Sequence, residues 1–243
     1  AKRGDHEAAL EQYERYRETF AGLVSADSSN PLYQRNLAVA LGRCGNSSGK
    51  LGDAAAEREL LQESLDVRRR LVERFPEQNR QLRDVALAHY FLASRLHKDG
   101  DTTEALQHIR EHLGLMEQLA WLNPLDARAS GSDLRFAHGN IGLIPEYGGT
   151  RSEQLEFYER FHERLLSPQA DYQSGSAPGL GLLLENLGAR STLLLDLGRV
   201  EEARSVCEEG LGLCENGLDT EVEQSNCSYL REFHDSHFSS AGG

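Results

Sequence analysis

Cysteine, proline, lysine and aromatic side chains are all scarce in this chain, and each scarcity excludes something. The four cysteines, Cys44, Cys207, Cys214 and Cys227, are too few for a disulfide framework in a chain of 243 residues. They are read as small buried apolar residues suited to a reducing, cytoplasmic setting, with Cys207 and Cys214, seven apart, on one helical face. Runs of alternating β-branched residues are missing, which argues against a sheet protein. No stretch approaches the roughly 20 apolar residues of a membrane-spanning helix. No basic-then-apolar signal segment opens the chain. Lysine occurs only at Lys2, Lys50 and Lys98, so nearly all positive charge is arginine. The net charge of −13 disfavours nucleic acid and anionic membranes as partners, because both call for a field of the opposite sign. Arg68, Arg69 and Arg70 are consecutive, so on a helix they point in different directions and read as a solvated face.

What the chain does have is a folded protein's balance, 39% hydrophobic and 27% charged, and a repeat. Gly4, Gly52, Gly100, Gly149 and Gly198 each stand at the start of a similar segment and recur at intervals of 48, 48, 49 and 49 residues. The segments read Gly4-Asp5-His6-Glu7-Ala8-Ala9-Leu10, Gly52-Asp53-Ala54-Ala55-Ala56, Gly100-Asp101-Thr102-Thr103-Glu104-Ala105-Leu106 and Gly198-Arg199-Val200-Glu201-Glu202-Ala203. Nine residues beyond each Gly stands Tyr13, Leu61, Ile109, Tyr158 or Cys207, and four junctions carry Pro31, Pro76, Pro124 and Pro168. Each unit is a pair of helices, A and B. Gly ends helix A in the left-handed conformation. A neighbouring Asp, Ser or Thr caps helix B. Ala five residues after the Gly lets the two helices approach closely, and Pro ends helix B. Glu57 and Gln154 replace that Ala in two copies, which either loosens the A–B contact or marks a polar insertion.

The expected helices are about His6–Val24, Pro31–Lys50, Ala54–Arg74, Pro76–Lys98, Thr102–Leu122, Asp133–Ile144, Thr150–Leu166, Leu180–Leu197, Val200–Glu215 and Glu221–Ser236. They make a single repeat domain over 1–243. A half repeat occupies 1–29, full repeats 30–75, 76–123, 124–167 and 177–216, and a capping helix 219–238. Repeat three is irregular: Gly139, Gly142, Pro145, Gly148 and Gly149 fall in or just after its helix A, as a short kinked helix or as a hinge that widens a groove. The chain opens in mid-repeat, so its first helix either caps the array or follows a half-repeat of a longer protein.

The Gly-Asp-x-x-x-Ala-Leu signature, the apolar pairs Leu92-Ala93 and Ile141-Gly142, and the terminal Pro resemble tetratricopeptide (TPR) repeats over nearly the whole chain. The usual period is 34 residues, and these repeats are about 14 longer. Ser64-Leu65-Asp66-Val67-Arg68-Arg69-Arg70-Leu71 followed by Phe75-Pro76 is similar to long-period bacterial TPRs attached to signalling kinases, and to kinesin-light-chain-type repeats, whose family links cargo to a cytoskeletal motor or filament. The resemblance implies an all-α, right-handed TPR-like α-solenoid of antiparallel helix pairs, about four and a half repeats plus a C-terminal capping helix. It implies a non-catalytic scaffold or adaptor that needs no cofactor and binds a protein or peptide on the concave helix-A face. The alternative is a regulatory segment of a larger signalling kinase or protease. By position from each Gly, the groove residues are Arg43, Asn46 and Lys50; Tyr90, Ser94 and His97; Phe136, Asn140 and Tyr147; and Glu185 and Thr192. The paired Lys and Asn that grip a chaperone's C-terminal carboxylate in some TPRs match only at Asn46 and Asn140. Gly42, Phe136 and Phe91 stand at the other positions.

Catalytic and metal motifs are thin. His108-x-x-Glu111-His112 has the inverted zinc-protease string but no third ligand, and the two histidines read as surface residues. Cys227, His234 and His237 have ligand chemistry without a ligand spacing. Gly45-Asn46-Ser47-Ser48-Gly49 spells a nucleophile elbow, yet it closes a helix where the elbow requires a strand before it. Ser174-Gly175-Ser176 and Gly179-Leu180-Gly181 likewise lack a preceding strand for phosphate binding. No metal is expected.

Overall fold

A computed structural model describes residues 3–76, 78–122, 132–166, 179–215 and 220–239, and every element in them is a helix. The order is α1 (Arg3–Ala26), α2 (Pro31–Leu51), α3 (Ala54–Arg74), α4 (Asn79–Asp99), α5 (Thr102–Leu122), α6 (Leu134–Ile141), α7 (Leu143–Glu146), α8 (Arg151–Leu165), α9 (Gly179–Asp196), α10 (Val200–Cys214) and α11 (Glu221–His237). The fold is all-α and built of helix pairs. Two compact units divide it, Ala1–Leu115 and Met116–Gly243. No helix among the described residues is long and apolar enough to cross a membrane.

Backbone chemistry sets the breaks between paired helices. Gly52, Gly100, Gly148 and Gly198 have φ of 96°, 87°, 91° and 75°, where a side chain would be strained. In the Schellman pattern, Gly52 N–H donates to the Gly49 carbonyl and Asp53 N–H to the Ser48 carbonyl. Two registers differ from expectation. Gly4 lies inside α1, and the third capping glycine is Gly148 rather than Gly149. Gly149 is an extra residue there, because Thr150, not its predecessor, caps α8 by accepting from Glu153 N–H. Asp53 caps α3 by accepting from Ala56 N–H, and Asn30 caps α2, with Pro31 in the first turn. Pro76 does not open α4, which starts at Asn79 behind Gln78. Pro124 and Pro168 lie outside the described residues.

In the first unit α1 packs on α2, α2 on α3 and α3 on α4. The core includes Ala38, Leu41, Val67 and Leu71. The antiparallel pair α2/α3 is tight: a Cβ on Gly45 would stand 3.1 Å from the Glu57 carbonyl and 3.2 Å from Leu60 Cβ. The same polar stitch recurs one repeat apart. Ser64 Oγ–H donates to the Ala38 carbonyl (2.7 Å), and His112 Nδ1–H to the Ala86 carbonyl (2.9 Å). Each stitch satisfies a buried polar side chain between helices B and A of one pair.

At Glu57 the polar insertion, not the loosened contact, is what the structure has. Its side chain is buried and fills the space that Gly49 leaves open, so that a Cβ on Gly49 would overlap its carboxylate. There it accepts from Arg95 of the next helix A at 3.0 Å, and Arg95 also bonds Asp99. Gln154, the other departure from Ala, is buried as well and hydrogen-bonds Tyr158. Both are polar insertions. Of the three copies that keep Ala, Ala105 and Ala203 are wholly buried and Ala9, within α1, is half-buried.

In the second unit α6 and α7 pack on α8, α8 on α9, and α9 on α10, while α11 lies against both α9 and α10. The expected single helix over Asp133–Ile144 is two short ones, broken at Gly142. Pro145 has no N–H to return to the Ile141 carbonyl, so the helical ladder lapses there. One cysteine expectation is overturned. Cys214 and Cys227 form a disulfide from α10 to α11, with Cα atoms 5.9 Å apart. Both half-cystines are buried, and so are the free Cys44 and Cys207.

Candidate partner-binding cleft

α2 and α4, two successive A helices of the first unit, face each other across α3 and leave a cleft of about 280 Å³. Its walls are Val39, Gly42, Arg43 and Asn46 from α2 and Asp84, Leu87, Ala88 and Phe91 from α4. Leu61, Ser64 and Arg68 of α3 form the floor. Each wall is one helical face, with residues three or four apart. The two walls are also repeat equivalents, since Val39 and Leu87, and Arg43 and Phe91, are each 48 residues apart. Gly42 keeps the α2 wall low: a Cβ there would only just touch Ser64 Oγ, at 3.4 Å.

The cleft is mixed in character, with Val39, Leu61, Leu87, Ala88 and Phe91 as its apolar part and Arg43 as the exposed cation at its rim. Asp84 is held by Arg35, through Nε at 2.6 Å and NH2 at 3.2 Å, and lies 3.8 Å from Arg68. Arg68 donates to Ser64 Oγ and to the Asp84 carbonyl. Burial lowers its pKa, Asp84 opposing and Arg35 adding to the shift, yet an arginine so placed stays charged. Arg68 is therefore locked in place, contrary to the solvated face expected for Arg68–Arg70. Arg43 is exposed and has no ion pair among the described residues. Phe91 is 42% exposed at the opposite wall. Residues 1–115 carry 17 Lys and Arg against 18 Asp and Glu, so almost all of the −13 belongs to residues 116–243. An anionic ligand meets little repulsion at this cleft.

The structure thus brings Arg43 and Asn46 together in the cleft and disperses the other predicted site residues. Lys50 is exposed at the end of α2, and Ser94 and His97 are half-buried on α4. Tyr90 packs on the His112 ring, 5.6 Å between centroids. The equivalent of Arg43 is Phe91, one residue on, and one residue turns a helix by about 100°. In the second unit Phe136 is 38% exposed, whereas Asn140 and Tyr147 are only 8% and 4% exposed. Glu185 pairs with Arg135 (3.4 Å), and its carboxylate lies 3.7 Å from His138 Nδ1. Thr192 does not face an open groove: it bonds Tyr229 of α11 (2.6 Å), and Asn226 of α11 donates to the Gly181 carbonyl (2.8 Å). The helix-A face of α9 is covered by the capping helix. Sequence reasoning passed over Asp84, Leu87 and Ala88. Their signal was the i, i+3, i+4, i+7 spacing that ends on Phe91.

The chemical motifs resolve as structure. His108 and His112 are buried rather than on a solvated face. Cys227 is in the disulfide. Residues 45–49 form part of the last turns of α2, and Gly179-Leu180-Gly181 open α9. Ser174-Gly175-Ser176 lies outside the described residues. Among the described residues no three His, Cys, Asp or Glu side chains are grouped so as to hold a metal ion.

No family model matches the chain, and no curated protein matches it. Solved structures similar to it are helical repeats. BtubC (BKLC) from P. vanneervenii is 14% identical over 89% of this chain and 94% of its own, with a TM-score of 0.38. A de novo designed helical repeat protein is 16% identical over 88% and 100%, with a TM-score of 0.37. A tetratricopeptide repeat protein from Parabacteroides merdae is 13% identical over 93% and 98%, with a TM-score of 0.24.

Proposed function

We propose that this chain is a non-catalytic interaction scaffold that takes a protein or peptide segment into the α2/α4 cleft. The observation that carries the reading is the juxtaposition of an exposed cation, Arg43, which has no ion pair among the described residues, with a half-exposed aromatic, Phe91, across a cleft also lined by Val39, Leu61 and Leu87. Arg and aromatic side chains supply most of the binding energy at protein interfaces, and an apolar pocket between them desolvates the anchor. Asn46 adds a donor and an acceptor for a ligand backbone. The resemblance of the repeats suggests two concrete forms. One is a kinesin-light-chain-like link between a cargo and a bacterial filament, and the other is a regulatory segment of a signalling kinase or protease. Both would use the same cleft.

The test is affinity capture from the source organism's lysate with wild-type chain and with the double variant Arg43→Glu/Phe91→Ala, read by mass spectrometry. Neither side chain is a core residue, so circular dichroism should be unchanged. A protein held by wild type and lost by the variant supports the cleft and identifies the partner class. Equal capture by both baits removes the cleft from the mechanism.

A further inference from the structure

Three histidines are enclosed where α4 meets α5: His89 is 1% exposed, His108 9% and His112 0%. Their hydrogen bonds dictate where the protons sit. Arg69 NH2 lies 3.3 Å from His89 Nε2, and a guanidinium can only donate, so that nitrogen accepts. The His89 proton is therefore on Nδ1, which donates to His108 Nδ1 at 2.9 Å and leaves the His108 proton on Nε2. His112 Nδ1–H donates to the Ala86 carbonyl of α4. Both imidazoles of the His89–His108 contact must be neutral, whereas the bond from His112 to Ala86 is kept in either protonation state and burial is what disfavours charge on that ring. A proton added to the shared His89–His108 contact would set N–H against N–H across 2.9 Å.

We propose that the His89–His108–His112 cluster is an acid-sensitive latch: proton uptake below neutral pH undocks α4 from α5 in the first unit. The surroundings oppose charge on most sides. From α3, Arg69 faces His89 and His108, and Arg58 also acts on His108. From α5, His108 and His112 both disfavour charge on His89. Only Glu104 and Glu111, on the same helix as His108, favour charging it, and burial outweighs them. Burial is the leading cause of the low values throughout, with His89 pushed down to about 3 and His112 to about 4. The undocked imidazoles regain their ordinary value near 6.5. Below that pH each independent site shifts the undocking equilibrium by roughly tenfold per pH unit. Counting the coupled His89–His108 pair once and His112 once, the shift from pH 6.5 to 5.0 is about 15-fold per site and roughly 250-fold in all. Because α4 also carries Asp84, Leu87, Ala88 and Phe91, undocking withdraws one wall of the cleft. That consequence rests on the proposed function, whereas the latch does not.

The experiment is hydrogen exchange of the full chain read by mass spectrometry at pH 7.5, 6.0 and 5.0, with rates corrected for intrinsic exchange. It is run on wild type and on His112→Asn, whose amide nitrogen takes the place of Nδ1 as donor to Ala86 without titrating. Wild-type peptides from 79–99 and 102–115 should lose protection steeply below pH 6.5, and His112→Asn should lose it with about one proton's less steepness. Protection that is flat across this range in wild type overturns the latch, and so does a loss of equal steepness in the variant. Should the variant fail to fold, nitrogen-15 shifts of the wild-type imidazoles decide the matter. Neutral rings with the stated tautomers at pH 6 support the latch, and ordinary titration near 6.5 overturns it. None of these readouts involves a ligand, so failure of the cleft assignment leaves the test intact.

Discussion

Gly49→Ala should destabilise the protein, although the substitution places a better helix former in the last turns of α2. Removing Gly from a helix interior is worth about 1 kcal/mol in favour of the variant. Against that, the new Cβ would overlap the carboxylate of Glu57, so Glu57 must swing out of its place. The displaced group takes with it the 3.0 Å ion pair to Arg95, whose two side chains are only 12% and 11% exposed. Deleting one partner of a buried pair costs roughly 3–5 kcal/mol. The cost here is lower, about 2–3 kcal/mol, because Glu57 is moved rather than removed and Arg95 keeps Asp99. The net loss is about 1–2 kcal/mol, a fall of roughly 3–6 °C in Tm for a chain this size. Thermal unfolding followed by circular dichroism measures it, with Gly114→Ala as control, since nothing lies within 4 Å of a Cβ there. The control should be neutral or slightly stabilising. Adding Glu57→Ala to Gly49→Ala should make the two substitutions far from additive, because the clash disappears with the carboxylate. A Gly49→Ala variant as stable as wild type, or additive behaviour in the cycle, would refute the account of Glu57 as a polar insertion that Gly49 accommodates.

Two other outcomes follow from the second unit. Reducing the Cys214–Cys227 disulfide, which spans 13 residues, should cost about 3 kcal/mol. Exchange should rise in 220–239 ahead of 179–196, measured with and without a dithiol reductant. The second unit should also lose stability in acid through His138, which is 3% exposed and whose pKa burial, reinforced by Arg135, pushes down to about 4. The folded form holds this ring neutral while the unfolded chain protonates it near 6.5, so its contribution is intact above 6.5. It is lost as pH falls from there toward 4, at about 1.4 kcal/mol per pH unit. His138→Gln should flatten that part of a urea-denaturation profile against pH.

The fold was largely legible in the chain itself. Glycine before a capping residue, repeated near every 48 residues, is a local instruction: it acts through φ and through one side-chain bond, and Gly52-Asp53 shows both. The helices it separates came out within a few residues of expectation, except where Pro145 interrupts one and Pro76 stands ahead of another. Positions that depend on packing were another matter. Gly148 and Gly149 cannot be told apart by spacing, since only the cap at Thr150 decides which takes the left-handed turn. Tyr90 and Phe91 are neighbours in sequence, and the rotation of α4 against α5 alone determines that Phe91 lines the cleft while Tyr90 stacks on His112. Asn140, on α6, and Tyr147, just past the end of α7, are polar or amphipathic, yet their neighbours bury them. Nothing in their spacing pairs Cys214 with Cys227, and they meet because α11 folds back on α10. Backbone signals act over a few residues and survive in a linear chain. Burial, pairing and proton placement depend on what another helix brings to the same point, and the tertiary structure alone decided those.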